Sequence, residues 1–88
     1  MTETENDYIG IGLRRLRKER GWTQEELAGK CNLDPRTIQK LERNENSPTL
    51  NSIRALAKSF GMRRGEFLTT IEDDIITKYT KEKEPHEE

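Results

Sequence analysis

Apolar residues recur three and four positions apart in the first third of the chain, which is the spacing of an amphipathic helix. The first such stripe consists of Ile9, Leu13 and Leu16. Gly21 follows as a residue of the type that commonly ends a helix. Thr23, with Glu26 three positions later, then has the pattern of a capping box at a helix start. The spacing therefore predicts a first helix that ends near Gly21 and a short second helix over about residues 24–31.

Two more helices are predicted between Asp34 and Gly61. Asp34 precedes Pro35, and an N-cap carboxylate followed by proline at the first helical position favours a helix start. This third helix is predicted to run to about Arg43. Thr49 can cap a fourth helix, which Gly61 closes. The apolar stripe of the fourth helix consists of Ile53, Leu56, Ala57 and Phe60.

The segment after the fourth helix carries a weaker helical pattern. It predicts one further turn over residues 64–68, in which Phe67 and Leu68 face inward. Two overlapping capping patterns, at Thr69 and Thr70, predict a separate sixth helix over residues 69–81. The apolar stripe of this sixth helix consists of Ile71, Ile75, Ile76 and Tyr79. Three interpretations of the stripe stay open: pairing with a second subunit, packing on its own domain, or a frayed tail.

The chain contains no alternating run of apolar and polar residues long enough for a β-strand, so the predicted fold class is all-α. The helices are expected to form one domain over residues 8–68, to which a short sixth C-terminal helix is added. Residues 69–81 form this amphipathic helix, which dimerises or packs within the domain. Residues 1–7 are predicted to be an acidic tail and residues 82–88 a disordered one.

The charge of the chain is unevenly distributed. The formal net charge is −1, yet residues 8–65 contain 13 lysines and arginines against 6 acids, a net of +7. Residues 1–7 carry −3, and residues 66–88 carry −5. Because attraction to phosphate depends on the local potential, this basic domain suits a polyanionic partner in spite of the overall charge.

The third helix has two chemically different faces when its residues are placed at ~100° intervals. The inner face carries Ile38, Leu41 and one acid, Glu42. The opposite face carries Arg36, Gln39, Lys40 and Arg43, with Thr37 at its margin. Long donors of this kind can bond base edges in the major groove of DNA. A merely solvated face explains the pattern equally well, so the surrounding sequence has to decide.

Several other functions are excluded by composition. The chain has a single cysteine, Cys31, and a single histidine, His86, so neither an internal disulfide nor a zinc site is expected. Cys31 lies within an apolar pattern and is predicted to be a small buried residue. No catalytic constellation, metal or cofactor is indicated. The N-terminus is unlike a signal peptide and no apolar run reaches ~20 residues, so a soluble cytoplasmic protein without membrane contact is expected.

The context of the third helix resembles the helix-turn-helix domain of phage repressor and Cro proteins, the xenobiotic-response-element regulator family. The resemblance covers roughly residues 9–68. The matching residues are Leu13–Arg17, Gly21–Ala28, Ile38, Leu41–Arg43, Pro48, Thr49, Ile53, Leu56, Ala57, Phe60 and Gly61. The resemblance implies a compact five-helix bundle of the lambda-repressor-like type, in which the second and third helices form the DNA-binding unit.

The resemblance also implies roles for individual residues. The expected base contacts are Pro35, Arg36, Thr37 and Lys40, to which the helical wheel adds Gln39. The expected phosphate contacts are Thr23, Gln24, Arg43 and Asn44. Arg17 and Glu42 match a partly buried ion pair between the first and third helices. Asn32 and Asn44 stand where the family commonly has glycine, and asparagine is the next most tolerant residue for positive φ.

The implied function is sequence-specific binding of double-stranded DNA by a transcriptional regulator, expected to be a repressor. A palindromic operator and a homodimer, at least on DNA, suit a single short recognition helix. The alternative is a protein-interaction module or antitoxin of the same fold, whose protein partner binds through the C-terminal segment. The steep salt dependence of phosphate contacts distinguishes the two functions.

Overall fold

The computed structural model describes the backbone of residues 9–83 and the side chains of residues 9–75. Every regular element in this part of the chain is a helix, which confirms the all-α prediction. The helices are α1 (Gly10–Glu19), α2 (Gln24–Cys31), α3 (Pro35–Glu42), α4 (Leu50–Ser59) and α5 (Arg64–Lys83). The predicted acidic tail, residues 1–7, and the last five residues of the predicted disordered tail lie outside the described residues.

The starts of α2 and α3 follow from their N-cap residues. The Thr23 hydroxyl accepts the Glu26 N–H at 3.0 Å, and the Glu26 carboxylate accepts the Thr23 N–H at 2.8 Å. Asp34 accepts the Arg36 N–H at 2.9 Å, directly before Pro35 in the first helical position. These bonds satisfy backbone donors that a helix start otherwise leaves unpaired. The predicted starts of both helices are thus confirmed.

Two asparagines provide the left-handed backbone that ends α2 and α3. Asn32 has φ 59° and ψ 41°, and Asn44 has φ 60°. After Asn32, the Leu33 N–H donates to Ala28 O at 2.9 Å, which closes the last turn of α2. Asparagine is one of the residues that tolerate this region best after glycine. The substitution of asparagine for the family's glycine therefore preserves both turns.

The core lies where α1, α2, α3, α4 and the first half of α5 meet. Its most completely buried side chains are Leu13, Leu27, Ile38, Leu41, Leu56 and Phe67. One edge is an aromatic stack, in which the Phe60 ring centroid lies 5.4 Å from that of Trp22 and 6.2 Å from that of Phe67. Cys31 is buried, as predicted, and burial raises the pKa of its thiol.

α5 is one continuous helix, so the expectation of a separate sixth helix is wrong. The Thr70 hydroxyl donates to Glu66 O at 2.9 Å inside the helix, and so Thr70 does not cap a new one. Phe67, Ile71 and Ile75 follow one another at four-residue intervals, and this spacing extends one face of the helix across the predicted boundary. Leu68 is 38% exposed, in contrast to its predicted inward position.

The first half of α5 packs on α1 of its own domain. Ile71 is 2% exposed, and a Cβ added to Gly12 would lie 3.1 Å from Ile71 Cα, so the two helices approach closely. Arg15 Nε lies 2.8 Å from Asp74 Oδ2 beside this contact. Ile75 is half-buried against the core.

This packing corrects the assignment of Ile71 to a dimer stripe, because a side chain buried in its own core cannot also contact a second subunit. The side chains of Ile76 and Tyr79, the last two members of the predicted stripe, lie outside the described residues. α5 itself continues to Lys83, two residues beyond the predicted end. No helix in residues 9–83 has both the length and the hydropathy needed to cross a bilayer.

Candidate DNA-binding surface

The two faces of α3 differ as the helical wheel predicts. Ile38 and Leu41 are 0% and 2% exposed and belong to the core. Arg36, Lys40 and Arg43 are all exposed. Because positions 36, 40 and 43 are four and three residues apart, they lie on one side of the helix. α3 therefore presents a row of cations to solvent while its other side anchors it.

The remaining predicted base contacts flank this row. Pro35, Thr37 and Gln39 are each half-buried, at the first turn and along the sides of the cationic row. Pro35 has no N–H to donate, so it offers only apolar contact. Thr37 and Gln39 are both partly accessible to solvent. The structure thus brings all five predicted base contacts to the N-terminal and outer parts of α3.

Glu42 fixes the buried side of α3 to the rest of the domain. Its side chain is 1% exposed, and its two carboxylate oxygens accept hydrogen bonds from Arg17 Nε at 2.6 Å and Arg17 Nη2 at 3.0 Å. Arg17 Nη1 also donates to Trp22 O at 2.9 Å. The hydrogen bond to Glu42 raises the pKa of Arg17, in spite of the opposing effect of burial. The pair therefore joins α3 to α1 and to the loop before α2.

Gln24 has a role in the free protein that the sequence analysis missed. Its Nε2 donates to Glu42 Oε1 at 3.0 Å, which ties the start of α2 to the end of α3. The other Nε2 hydrogen remains for the predicted phosphate contact. A carboxylate can accept about four hydrogen bonds. The prediction that Glu42 is buried with a single arginine partner therefore already indicated that a further donor should lie nearby.

Asn44 also has a second role. Its Oδ1 accepts the Gly10 N–H at 2.9 Å, so the residue that ends α3 also holds the start of α1. The side-chain nitrogen of Asn44, Nδ2, remains available for the predicted phosphate contact. The first N–H groups of any helix need acceptors from outside it, but nothing near Gly10 in the sequence identifies this one.

The N-terminus of α2 presents donors beside α3. The capping box uses the N–H groups of Thr23 and Glu26, and within the described residues it leaves those of Gln24 and Glu25 without a recorded acceptor. The Thr23 hydroxyl accepts in the box and keeps its own hydrogen to donate. Free N–H groups at a helix N-terminus are a favourable site for an anion.

Two cations of α1 extend this region. Arg14 Nε lies 3.8 Å from Glu42 Oε1, and the Arg14 side chain is 56% exposed. Arg14 and Lys18 line a depression of about 290 Å³ that reaches Asn44. The positive surface is therefore broader than α3 alone.

The residues that form this surface lie within a segment that matches a known protein family. A family model described as Helix-turn-helix matches residues 13–67, which include α2, α3 and the surface just described. The chain belongs to this helix-turn-helix family. Its fold is of the lambda-repressor-like type, and the protein is a DNA-binding transcription regulator of the Cro/C1 kind, as the resemblance implied.

Two curated helix-turn-helix relatives show how far the similarity extends. An uncharacterized HTH-type transcriptional regulator of Sinorhizobium fredii is 31% identical over 65 residues, which is 74% of this chain and 84% of that protein. The immunity repressor of Bacillus phage phi105 is 34% identical over 55 residues. That match covers 62% of this chain but only 38% of the repressor. The similarity to the phage protein is thus confined to one part of it.

Among solved structures, the wild-type restriction-modification controller protein C.Esp1396I is similar to this helix-turn-helix protein, with a TM-score of 0.69. The two sequences are 30% identical, and the match covers 80% of this chain and 91% of that one. The agreement therefore extends over nearly the whole controller chain.

Proposed function

We propose that this helix-turn-helix protein is a transcriptional repressor that binds a palindromic operator as a homodimer, with α3 in the major groove. The observation that supports this most directly is the contrast between the two sides of α3. Its outer side carries three exposed cations, and its inner side is buried and tied to α1 and α2 through Glu42. A rigid, cationic helix of this size fits the major groove.

Each of the five base contacts is assigned a chemical role. Arg36 and Lys40 donate to guanine O6 and N7, and Gln39 bonds adenine N6 and N7. Thr37 serves either kind of base or touches a thymine methyl group, and Pro35 offers apolar contact only. α3 is the recognition helix in this proposal.

The phosphate contacts hold the recognition helix in register. Thr23 and Gln24 bind one phosphate together with the free N–H groups of α2. Arg43 and Asn44 bind another at the far end of α3. Arg43 Nε lies 3.7 Å from Glu45 Oε2 in an exposed ion pair, which a phosphate can replace at small cost. Contacts of this kind orient the protein without sequence discrimination.

The first prediction concerns sequence recognition. After the operator has been selected from a random duplex pool, Arg36→Ala and Lys40→Ala should each weaken operator binding by about 1–3 kcal/mol, or roughly 5- to 150-fold. Arg43→Ala should weaken operator and random duplex alike, because it removes a phosphate contact. Arg63→Ala, an exposed cation outside this surface, is the control and should change neither. Fluorescence anisotropy titrations measure all four.

The same titrations test the proposed function as a whole. Phosphate contacts release counterions, so the logarithm of the affinity should fall with the logarithm of salt with a slope of about −0.9 per phosphate contacted. Operator binding by Arg36→Ala at wild-type strength would contradict the recognition role of α3. Binding without salt dependence would favour the alternative of a protein-interaction module or antitoxin.

The homodimer is proposed to form through α5. Leu68 is exposed on this helix, and Tyr79 lies eleven positions later, which is about three helical turns and so falls on the same side. Two recognition helices about one turn of DNA apart, roughly 10 bp, would contact both halves of a palindrome.

The second prediction tests this dimer by truncation. Deletion of residues 76–88 keeps Ile71 and Ile75 in the core but removes the rest of the stripe, and should convert two chains per operator duplex into one. Deletion of residues 84–88 alone is the control and should leave two. Light scattering of the complexes gives the mass. One full-length chain per palindromic duplex would rule out the dimer.

A further inference from the structure

A second basic region lies away from the proposed DNA-binding surface, in a cleft between the C-terminal end of α2 and α4. We call it the α2–α4 cleft; its volume is about 600 Å³. Its lining residues are Lys30, Cys31, Asn32, Asn51, Arg54, Ala55, Lys58 and Ser59. The volume is within the range of small-ligand sites.

The α2–α4 cleft collects donors and cations without a carboxylate to balance them. Lys30, Arg54 and Lys58 line it, and no aspartate or glutamate does. Of the ion pairs recorded among residues 9–75, none includes these three cations. The side chains of Asn32 and Asn51 add amide donors, and neither has a hydrogen bond recorded in the same range. The cleft therefore has an excess of positive charge and of donors.

The arrangement of the cations places like charges close together. Arg54 and Lys58 are four residues apart on α4, and like charges at this spacing destabilise a helix. Lys30 lies on the α2 side, where its Nζ is 4.7 Å from the Trp22 ring centroid. This contact with the aromatic ring does not cancel the charge of the ammonium group. An anion between α2 and α4 would relieve the repulsion.

The cleft is separated from the proposed phosphate contacts by the length of α2. Gln24 begins this helix and Cys31 ends it, and at 1.5 Å per residue the two ends are on the order of 10 Å apart. A ligand in the cleft thus does not occupy the positions assigned to DNA.

We propose that the α2–α4 cleft binds a small free anion that carries two or more negative charges on phosphate groups. The guanidinium of Arg54 and the ammonium of Lys58 bind phosphate oxygens on the α4 side, and Lys30 binds from the α2 side. Asn32 and Asn51 donate to the remaining oxygens. A small anion suits the site better than a duplex, because the cations line a recess of limited volume.

Inorganic pyrophosphate is the probe for the third prediction. It is titrated into the isotope-labelled full chain at constant ionic strength, and backbone amide shifts are followed by NMR. Saturable shifts should be confined to residues 30–32 and 51–59, with a dissociation constant below ~1 mM. The absence of saturation well above that concentration overturns the proposal.

Two variants of equal charge distinguish the cleft from general attraction to a basic protein. Arg54→Gln with Lys58→Gln should weaken pyrophosphate binding at least about tenfold. Arg36→Gln with Lys40→Gln removes the same charge from α3 and should leave the binding unchanged. Equal weakening by both pairs overturns the proposal, because it means that net charge alone attracts the anion. All four residues are exposed, and thermal melts verify that both variants fold.

Operator binding by the double variant Arg54→Gln with Lys58→Gln distinguishes the free anion from DNA phosphate. If this double variant binds the operator as tightly as the wild-type protein does, the result supports a separate anion site. A loss of operator affinity with no saturable pyrophosphate binding in the wild type would mean that the cleft contacts the DNA backbone, and it would overturn the free-anion assignment. Neither outcome depends on the roles assigned to α3.

Discussion

Replacing Glu42 by alanine is expected to lower the free energy of unfolding by about 3–5 kcal/mol, because it leaves a mostly buried Arg17 without its partner. The Arg17 side chain is 11% exposed, so water replaces the lost carboxylate poorly. Gln24 loses its acceptor in the same variant. For a domain of this size the midpoint of thermal unfolding should fall by on the order of 20 °C. Circular dichroism melts measure the change.

Glu45→Ala is the matched control for Glu42→Ala. It also removes a glutamate that pairs with an arginine, but both side chains of the Arg43–Glu45 pair are about half exposed. Exposed pairs contribute about 1 kcal/mol or less. If Glu42→Ala unfolded at the same midpoint temperature as Glu45→Ala, the buried carboxylate would not be what holds α3 in place.

Gly10→Ala is expected to lower the free energy of unfolding by about 1–3 kcal/mol, the usual cost of forcing an extra methyl group into a packed site. A Cβ at position 10 would collide with the Glu42 carbonyl oxygen and lie 2.6 Å from Asn44 Oδ1. The carbonyl belongs to the backbone at the end of α3, so only a shift of α1 or α3 relieves the contact. Chemical denaturation of the variant gives the loss.

Gly29→Ala is the control for Gly10→Ala. Gly29 lies inside α2 and nothing is within 4 Å of a Cβ added there. Alanine has a higher helix propensity than glycine, so this variant should be more stable than wild type by up to about 1 kcal/mol. If both variants were stabilised alike, the close approach of α1 to the end of α3 would be refuted.

Glu42→Ala and Gly10→Ala affect the same junction, where the start of α1 and the end of α3 meet. Glu42 and Asn44 hold α3 from its buried side and from its C-terminal end. The position of the recognition helix therefore depends partly on Glu42, which touches no DNA in the proposal, and partly on the bond that the Asn44 side-chain oxygen accepts from Gly10. We expect Gly10→Ala to weaken operator binding as well, at a temperature where the variant is fully folded.

The helix starts could be predicted because their signals are local. Thr23 and Asp34 bond to groups three and two residues away, respectively, so both partners are visible in one short stretch of sequence. The buried side of α3 was predictable for the same reason, since the 3.6-residue period alone places Ile38 and Leu41 together.

The misjudged helix boundary near Thr70 shows where local signals fail. A threonine followed three residues later by an acid fits a helix start, but the same residues are also tolerated in mid-helix, where the hydroxyl bonds a carbonyl one turn back. Tertiary packing decided between a helix start and a mid-helix position for Thr70. Ile71 inserts against Gly12 of α1, and this contact between distant parts of the chain keeps α5 continuous through the predicted boundary.

The amino-acid sequence was enough to predict the first four helices, the two left-handed turns and the cationic side of α3, since each depends on residues within about one helical turn of one another. Tertiary structure alone decided that Gln24 bonds Glu42, that Asn44 holds Gly10 and that the cations of α2 and α4 share a cleft. These pairings join residues 18 or more positions apart, and the chain brings such residues together only when the core packs.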